Sequence, residues 1–225
     1  MTYNIISTGS KGNAVVINDI ILIDCGVSFK KLKNVYMNLK LVLITHEHSD
    51  HFNSTTIKRI AKERPALRFA CGLWLYGKLV QAGVSKSNID ILEISKKYNY
   101  GTFKVSPVKL YHDVPCYGYR VYFGNEKLFY ATDTNTLEGI TAKEYDLYMI
   151  EANYEDEEIQ ERIKAKQENG EYAYEIKVLS NHLSKAKADD FIYQNIGQNG
   201  KYVYLHQHEE RRDCNDRNIR DHTQS

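Results

Sequence analysis

Short apolar runs alternate along this chain with segments whose apolar residues recur at helical spacing. Asn4–Ser7, Ala14–Ile17, Ile20–Asp24, Leu41–Ile44, Leu67–Ala70 and Ile89–Ile94 read as strands, too short for helices and rich in β-branched residues. Gly101–Tyr111 alternates, with Phe103, Val105 and Val108 apolar, and a tyrosine-rich strand follows through Tyr117, Tyr119 and Tyr122 to a turn at Gly124-Asn125. Leu128–Ala131, Leu147–Ile150 and Lys201–Leu205 complete the strands. Between them, Ser28 is placed to cap a helix to about Asn38, and Asn53 or Ser54 a helix over 55–62 that stops before Pro65. Leu73–Ala82 ends at Gly83, and the acidic stretch from Glu155 reads as a solvated helix to about Glu168, stopped by Asn169-Gly170. Ser184 caps a last helix, Lys185 to about Ile196. Strands alternating with helices predict a layered α/β fold.

Composition narrows this little. The 225 residues are one domain's worth of chain, expected over 1–225, with a formal net charge of +1. Tight, non-specific polyanion binding needs a basic surface, and none is implied. No apolar run approaches the roughly 18 residues of a membrane span, so no membrane partner is expected. Cys25, Cys71, Cys116 and Cys214 lie far apart without a C-x-x-C pair. With no signal-like N-terminus, they are expected to be reduced thiols in a cytoplasmic protein.

The chemistry concentrates just after Leu41–Ile44, in Thr45-His46-Glu47-His48-Ser49-Asp50-His51. A helix would put His46 and His48 on different faces. A loop at a strand's end lets alternate side chains converge. Imidazole with carboxylate suits zinc, manganese or iron. Four such groups exceed what one ion with an open position needs. They suggest two divalent ions, with His46 and His48 on one, Asp50 and His51 on the other. Zinc is the default metal, and manganese also fits.

This His-x-His-x-Asp-His pattern resembles the metallo-β-lactamase superfamily in its dinuclear hydrolase form. The resemblance implies an αββα sandwich with the site along one edge. It makes His112, after the strand ending at Tyr111, a ligand of the first ion. It makes Asp133, within Thr132-Asp133-Thr134, the carboxylate that bridges both ions, and His206 the last ligand, with His208 as its rival. Asp24, ending its strand in Asp24-Cys25-Gly26, becomes a residue standing behind the metal loop. His182, in Asn181-His182-Leu183-Ser184, becomes a catalytic residue outside the metal shell. Of eight histidines, six fall at matching positions in chain order. The turn Gly9-Ser10-Lys11-Gly12-Asn13 looks like that of WalJ-type members. It reads equally as an ordinary hairpin turn or as a loop bringing backbone to the site.

The same resemblance implies hydrolysis by metal-activated water, with Asp50 and Asp133 helping to orient the nucleophile and His182 either stabilising the developing charge or protonating the leaving oxygen as a general acid. Three substrate classes compete. Compact phage phosphodiesterases that destroy cyclic CMP and cyclic UMP share the overall pattern, some as homodimers. A small nucleotide substrate, a role in evading host defence and a homodimer are therefore the leading expectation. A WalJ- or ribonuclease Z-like nuclease acting on nucleic acid is the alternative, and a lactam or thioester hydrolase comes third.

Overall fold

A computed structural model describes residues 1–207. Two six-stranded sheets face each other. The first has β1 (Tyr3–Ser7), β2 (Ala14–Ile17), β3 (Ile21–Ile23), β4 (Leu41–Leu43), β5 (Arg68–Cys71) and β6 (Ile89–Ile91) in spatial order. The second has β7 (Tyr98–Asn99), β8 (Lys104–Leu110), β9 (Cys116–Phe123), β10 (Glu126–Ala131), β11 (Leu147–Glu151) and β12 (Lys201–Leu205). Strict side-chain alternation makes the layers. Ile21, Ile23, Leu41 and Leu43 point into the space between the sheets, where they meet Val121, Leu128, Tyr130 and Met149. Leu22 and Val42 point outward to α2 (Ser54–Glu63) and α3 (Tyr76–Gln81). Phe129, Tyr148 and Ile150 of the second sheet point outward to α6 (Lys185–Asn195). Helix, sheet, sheet, helix is the αββα sandwich.

Strand direction decides where chemistry sits. β3, β4, β5 and β6 are parallel, with Ile21 opposite Leu41 and Leu41 opposite Arg68. β10, β11 and β12 are parallel, and β8 runs with them because both β8 and β10 are antiparallel to β9. The chain therefore leaves β3, β4, β8, β10, β11 and β12 in the crevice where open α/β sheets place their ligands.

The elements depart from the sequence reading in instructive places. The helix expected from Ser28 to about Asn38 is one turn, α1 (Phe29–Leu32), continuing as irregular turns; Ser28 makes no side-chain cap. Leu73–Leu75 is a 3-10 turn before α3. The strand expected over Ile89–Ile94 stops at Ile91. β7 and the short α5 (Glu175–Asn181) were not anticipated, and Val178–Ser180 lies inside that helix. α4 (Asp156–Glu168) follows the acidic segment; its buried Ile159 and Ile163 pack with Val178 and Leu179 of α5. Asn53 caps α2 by accepting from Thr56 N at 3.0 Å, and Ser184 caps α6. No helix among the described residues is long and apolar enough to cross a membrane. Cys25, Cys71 and Cys116 are free and buried; Cys214 and His208 lie outside the described residues.

Candidate metal centre

Three imidazoles meet first. His46, His48 and His112 each place a ligand atom within 4.8 Å of the others. His46 Nδ1 is hydrogen-bonded to Thr45 Oγ1 at 2.9 Å, and its buried Nε2 has no hydrogen-bond partner. His112 Nδ1 donates to the Asn181 carbonyl at 3.0 Å, while Nε2 lies 3.3 Å from His48 Nδ1. In both rings one nitrogen is anchored and the other turned to the common centre, the arrangement that sets tautomer and aim in metal-binding imidazoles.

Asp50, His51 and His206 form a second group, again within 4.8 Å. Asp133 stands between the two, grouped with His46 and His51. Its Oδ2 lies 3.1 Å from His51 Nε2, is buried and makes no directed hydrogen bond. The seven residues named as ligands from the sequence thus come together in overlapping groups, with Asp133 beside His46 and His51 in one and beside His206 in another. Buried imidazole and carboxylate atoms left without partners and converging on one space suit divalent ions of the zinc or manganese kind. His206 donates Nδ1–H to Glu151 at 2.9 Å and turns Nε2 toward Asp50, 4.0 Å away.

Asp24 stands behind the metal loop, fully buried. It accepts from His51 Nδ1 at 2.7 Å, Thr45 N at 2.8 Å and Thr45 Oγ1 at 3.0 Å. Its oxygens are used in orienting the loop. Burial pushes the Asp24 carboxyl up; the same burial would lower His51, but Asp133 and Asp24 together raise that imidazole well above its ordinary value. Three of these residues end strands with left-handed backbone: Asp24 (φ 61), Asp133 (φ 55) and His206 (φ 52). Each turns the chain sharply into the crevice. Such a conformation costs about 1–3 kcal/mol outside glycine and persists where surrounding contacts enforce it.

Glu151 is the functional residue the sequence reading passed over. It ends β11 and is fully buried. Oε1 accepts from His182 Nδ1 at 2.6 Å as well as from His206, and Oε2 from Thr134 N at 3.1 Å and Leu183 N at 3.3 Å. Burial opposes its ionisation, but His182 and His206 hold it below its ordinary value. Burial alone would lower His182; the Glu151 carboxylate reverses this and pushes it up to about 9. Burial likewise opposes charge on Asp133, which His206 and His51 hold well below the carboxylate range. An acid ending a buried strand was the signal that singled out Asp24, and Glu151 carries the same one.

The turn at Gly9–Asn13 does reach the site. Asn13 is buried, its amide Nδ2 lies 2.8 Å from His51 Nε2, and its backbone N donates to the Asp50 carbonyl at 2.6 Å. Gly26 lets the chain after β3 pass against the metal loop: a Cβ there would sit 1.6 Å from the Asp50 carbonyl oxygen. The site opens into a cleft of about 370 Å³, bordered by Gly9, Ser10, Asp50, Asp113, Lys177 and His182. His182 lies 3.7 Å from Asp133 Oδ1 and, with Asp133, Glu151 and His206, makes a further group whose ligand atoms all lie within 4.8 Å of one another.

Catalytic apparatus assembled this way, along the shared edge of two stacked mixed sheets, defines a metal-dependent hydrolase of the metallo-β-lactamase fold. The chain belongs to the β-lactamase superfamily, whose domain it matches over residues 20–178. It is 27% identical to the exodeoxyribonuclease WalJ of Streptococcus pneumoniae, strain D39, over 230 aligned positions covering 90% of this chain and 80% of that protein. Among solved structures, the metallo-β-lactamase fold protein YhfI from Bacillus subtilis superposes with a TM-score of 0.68 at 18% identity, covering 91% of this chain and 85% of that one. The short form of human tRNase Z does so at 0.66 and 16% identity, covering 94% of each chain. Both structural likenesses concern the fold.

Proposed function

We propose that the chain is a dinuclear metal-dependent phosphodiesterase acting on nucleotide phosphodiesters. The observation that carries this is His182, hydrogen-bonded at 2.6 Å to the buried Glu151 and pushed up to about 9. An imidazole so held carries its proton at neutral pH and presents it to the cleft. Hydrolysis of a phosphodiester expels a sugar alkoxide, a poor leaving group that requires such a donor. The His46–His48–His112 and Asp50–His51–His206 groups, joined by Asp133, would hold two ions. When bound, such ions polarise the phosphoryl oxygens and lower the pKa of water. Asp50 accepts a hydrogen bond from the attacking water and fixes its direction. As the water oxygen bonds to phosphorus and its proton passes to solvent, the bond to the sugar oxygen breaks and His182 protonates the departing oxygen.

Two forms of this reading are separable. Kinship with a protein named as an exodeoxyribonuclease favours cleavage at a nucleic-acid end. The small cleft, bordered by a single lysine and no arginine among the described residues, favours a 3′,5′-cyclic mononucleotide, as in signal destruction. Product chromatography decides. Metal-loaded protein is incubated with cyclic CMP, UMP, AMP and GMP, and separately with single-stranded DNA and RNA, with Asp133→Ala as control. Asp133-dependent release of mononucleotides from oligonucleotides supports the nuclease form, and ring opening alone supports the cyclic form. If both substrates survive intact, the phosphodiesterase reading falls and carbonyl substrates move forward.

A further inference from the structure

We infer that one face of α5 is a nucleobase-and-phosphate subsite, with Tyr174 stacking on the base and Lys177 pairing with an oxygen of that nucleotide's phosphate. This deepens the reading above and rests on it. Tyr174, Lys177, Val178 and Asn181 all border the cleft. Their spacing of three, four and seven places them on one helical stripe. The intervening Ile176 is 52% exposed and belongs to the other side.

The stripe is held as a fixed wall. At its C-terminal end Asn135 Nδ2 donates to the Ser180 carbonyl at 2.7 Å, and the Asn181 carbonyl receives His112 Nδ1. At its start Lys166 Nζ binds both oxygens of Glu175, at 2.7 and 2.9 Å. Behind it, α4 buries Ile159 and Ile163 in a cluster against which Leu179 packs. A wall tied to a candidate metal-binding imidazole keeps its distance from the reacting centre, which is what a subsite needs to orient substrate.

Its chemistry is specific. Tyr174 is 57% exposed, an aromatic ring left open at the cleft mouth. Every base has a π face, so such a ring binds bases with little sequence preference. Lys177 is the only lysine or arginine among the described residues bordering the cleft. Its partner is Asp113 Oδ2 at 3.8 Å, with the lysine side chain 59% exposed. A long, exposed ion pair contributes little, so Lys177 can exchange Asp113 for a phosphate oxygen. Asp113 Oδ1 lies 3.2 Å from His112 Nε2 and 3.3 Å from His48 Nε2, which puts the exchange beside the first imidazole group. One ring, one cation and about 370 Å³ match a single nucleotide at a time.

The test is titration of the metal-loaded protein with the 5′-monophosphate of 2-aminopurine deoxyriboside, whose fluorescence is quenched by stacking. Tyr174→Ala is expected to weaken binding about 5- to 100-fold and abolish the quench. Tyr174→Phe restores both. Lys177→Ala weakens the nucleotide but not the phosphate-free nucleoside, and flattens the salt dependence. Ile176→Ala, on the far face, leaves both unchanged, and equal thermal midpoints show the variants folded. A Tyr174→Ala dissociation constant within about twofold of wild type, or a persistent quench, overturns the subsite. Hydrolysis with Tyr174 and Lys177 silent removes the subsite and keeps the phosphodiesterase. Tyr174-dependent binding without hydrolysis of any phosphodiester removes the phosphodiesterase and keeps the subsite.

Discussion

Glu151 Oε1 receives Nδ1–H from His182 at 2.6 Å and from His206 at 2.9 Å, so one buried carboxylate sets two imidazoles of different duty. His206 belongs to the group with Asp50 and His51, and His182 borders the cleft. Glu151→Gln keeps the shape but replaces an acceptor by a group that must also place two amide hydrogens. Turnover is expected to fall about 10²- to 10⁴-fold, and affinity for one of the two ions about 10- to 100-fold. His182→Ala should lower turnover comparably while leaving metal content intact. Metal analysis beside steady-state rates checks both. Equal metal loading in Glu151→Gln would show that His206 is positioned without it.

Acidity at His182 makes activity pH-dependent in a definite direction. Its ordinary value of 6.5 is pushed up to about 9 in the folded chain, burial being outweighed by Glu151. Folding therefore favours the protonated ring. That stabilisation is fully present below about 6.5 and is lost as pH rises through about 9. Wild-type turnover should show an alkaline limb, where His182 loses its proton, that is absent from the residual rate of His182→Ala. The stability difference between the two, measured by thermal unfolding, should be larger at pH 6 than at pH 10. A His182→Ala profile with the same alkaline limb would assign that proton elsewhere.

Much of this was legible along the chain because strands ending in polar clusters are local features. Leu41–Ile44 followed by His46, His48, Asp50 and His51 needs no tertiary knowledge to be read as a strand feeding a ligand loop. The isolated His112, Asp133, His182 and His206 became readable only as a set in a fixed order. The N-terminal helix over 28–38 failed because propensity and a plausible cap do not supply an apolar face. Only Leu32 of α1 is buried, and the chain continues in turns. α5 was missed for the opposite reason. Tyr172, Tyr174 and Ile176 are exposed, so no apolar periodicity marks a helix whose fixed face is turned to a cleft. Gly26 was invisible because its importance is a contact with Asp50, twenty-four positions on.

That contact yields a sharp stability test. A methyl group at position 26 would sit 1.6 Å from the Asp50 carbonyl oxygen and 2.7 Å from His51 N. Both obstacles are backbone, which no rotamer change relieves. Overpacking of this kind costs about 1–3 kcal/mol or more. Gly26→Ala is expected to lower the thermal midpoint by roughly 5–10 °C and to reduce metal content, because the displaced segment carries Asp50 and His51. Gly77→Ala, whose added methyl group meets nothing within 4 Å, is the matched control. Unchanged metal content and midpoint in Gly26→Ala would show that the two loops are farther apart than described.

Metal removal should reveal how far the centre depends on its ions. Asp24, Asp133 and Glu151 bring three buried carboxyl groups into one region, and His46 Nε2 and Asp133 Oδ2 have no hydrogen-bond partner there. In the metal-free chain, charge on the acids is offset by protons on His51 and His206, both raised by their carboxylate neighbours against the effect of burial. A bound cation must displace such protons, since imidazole ligates only in its neutral form. Adding zinc or manganese to chelator-treated protein is therefore expected to raise the thermal midpoint in a concentration-dependent way. Calorimetry in buffers of different ionisation enthalpy should show proton release at neutral pH, with about two equivalents bound per chain. Asp133→Ala removes the carboxylate that stands beside His46 of one group and His51 of the other and should lower that stoichiometry. Two ions retained with wild-type affinity in that variant would refute a shared bridging role for Asp133.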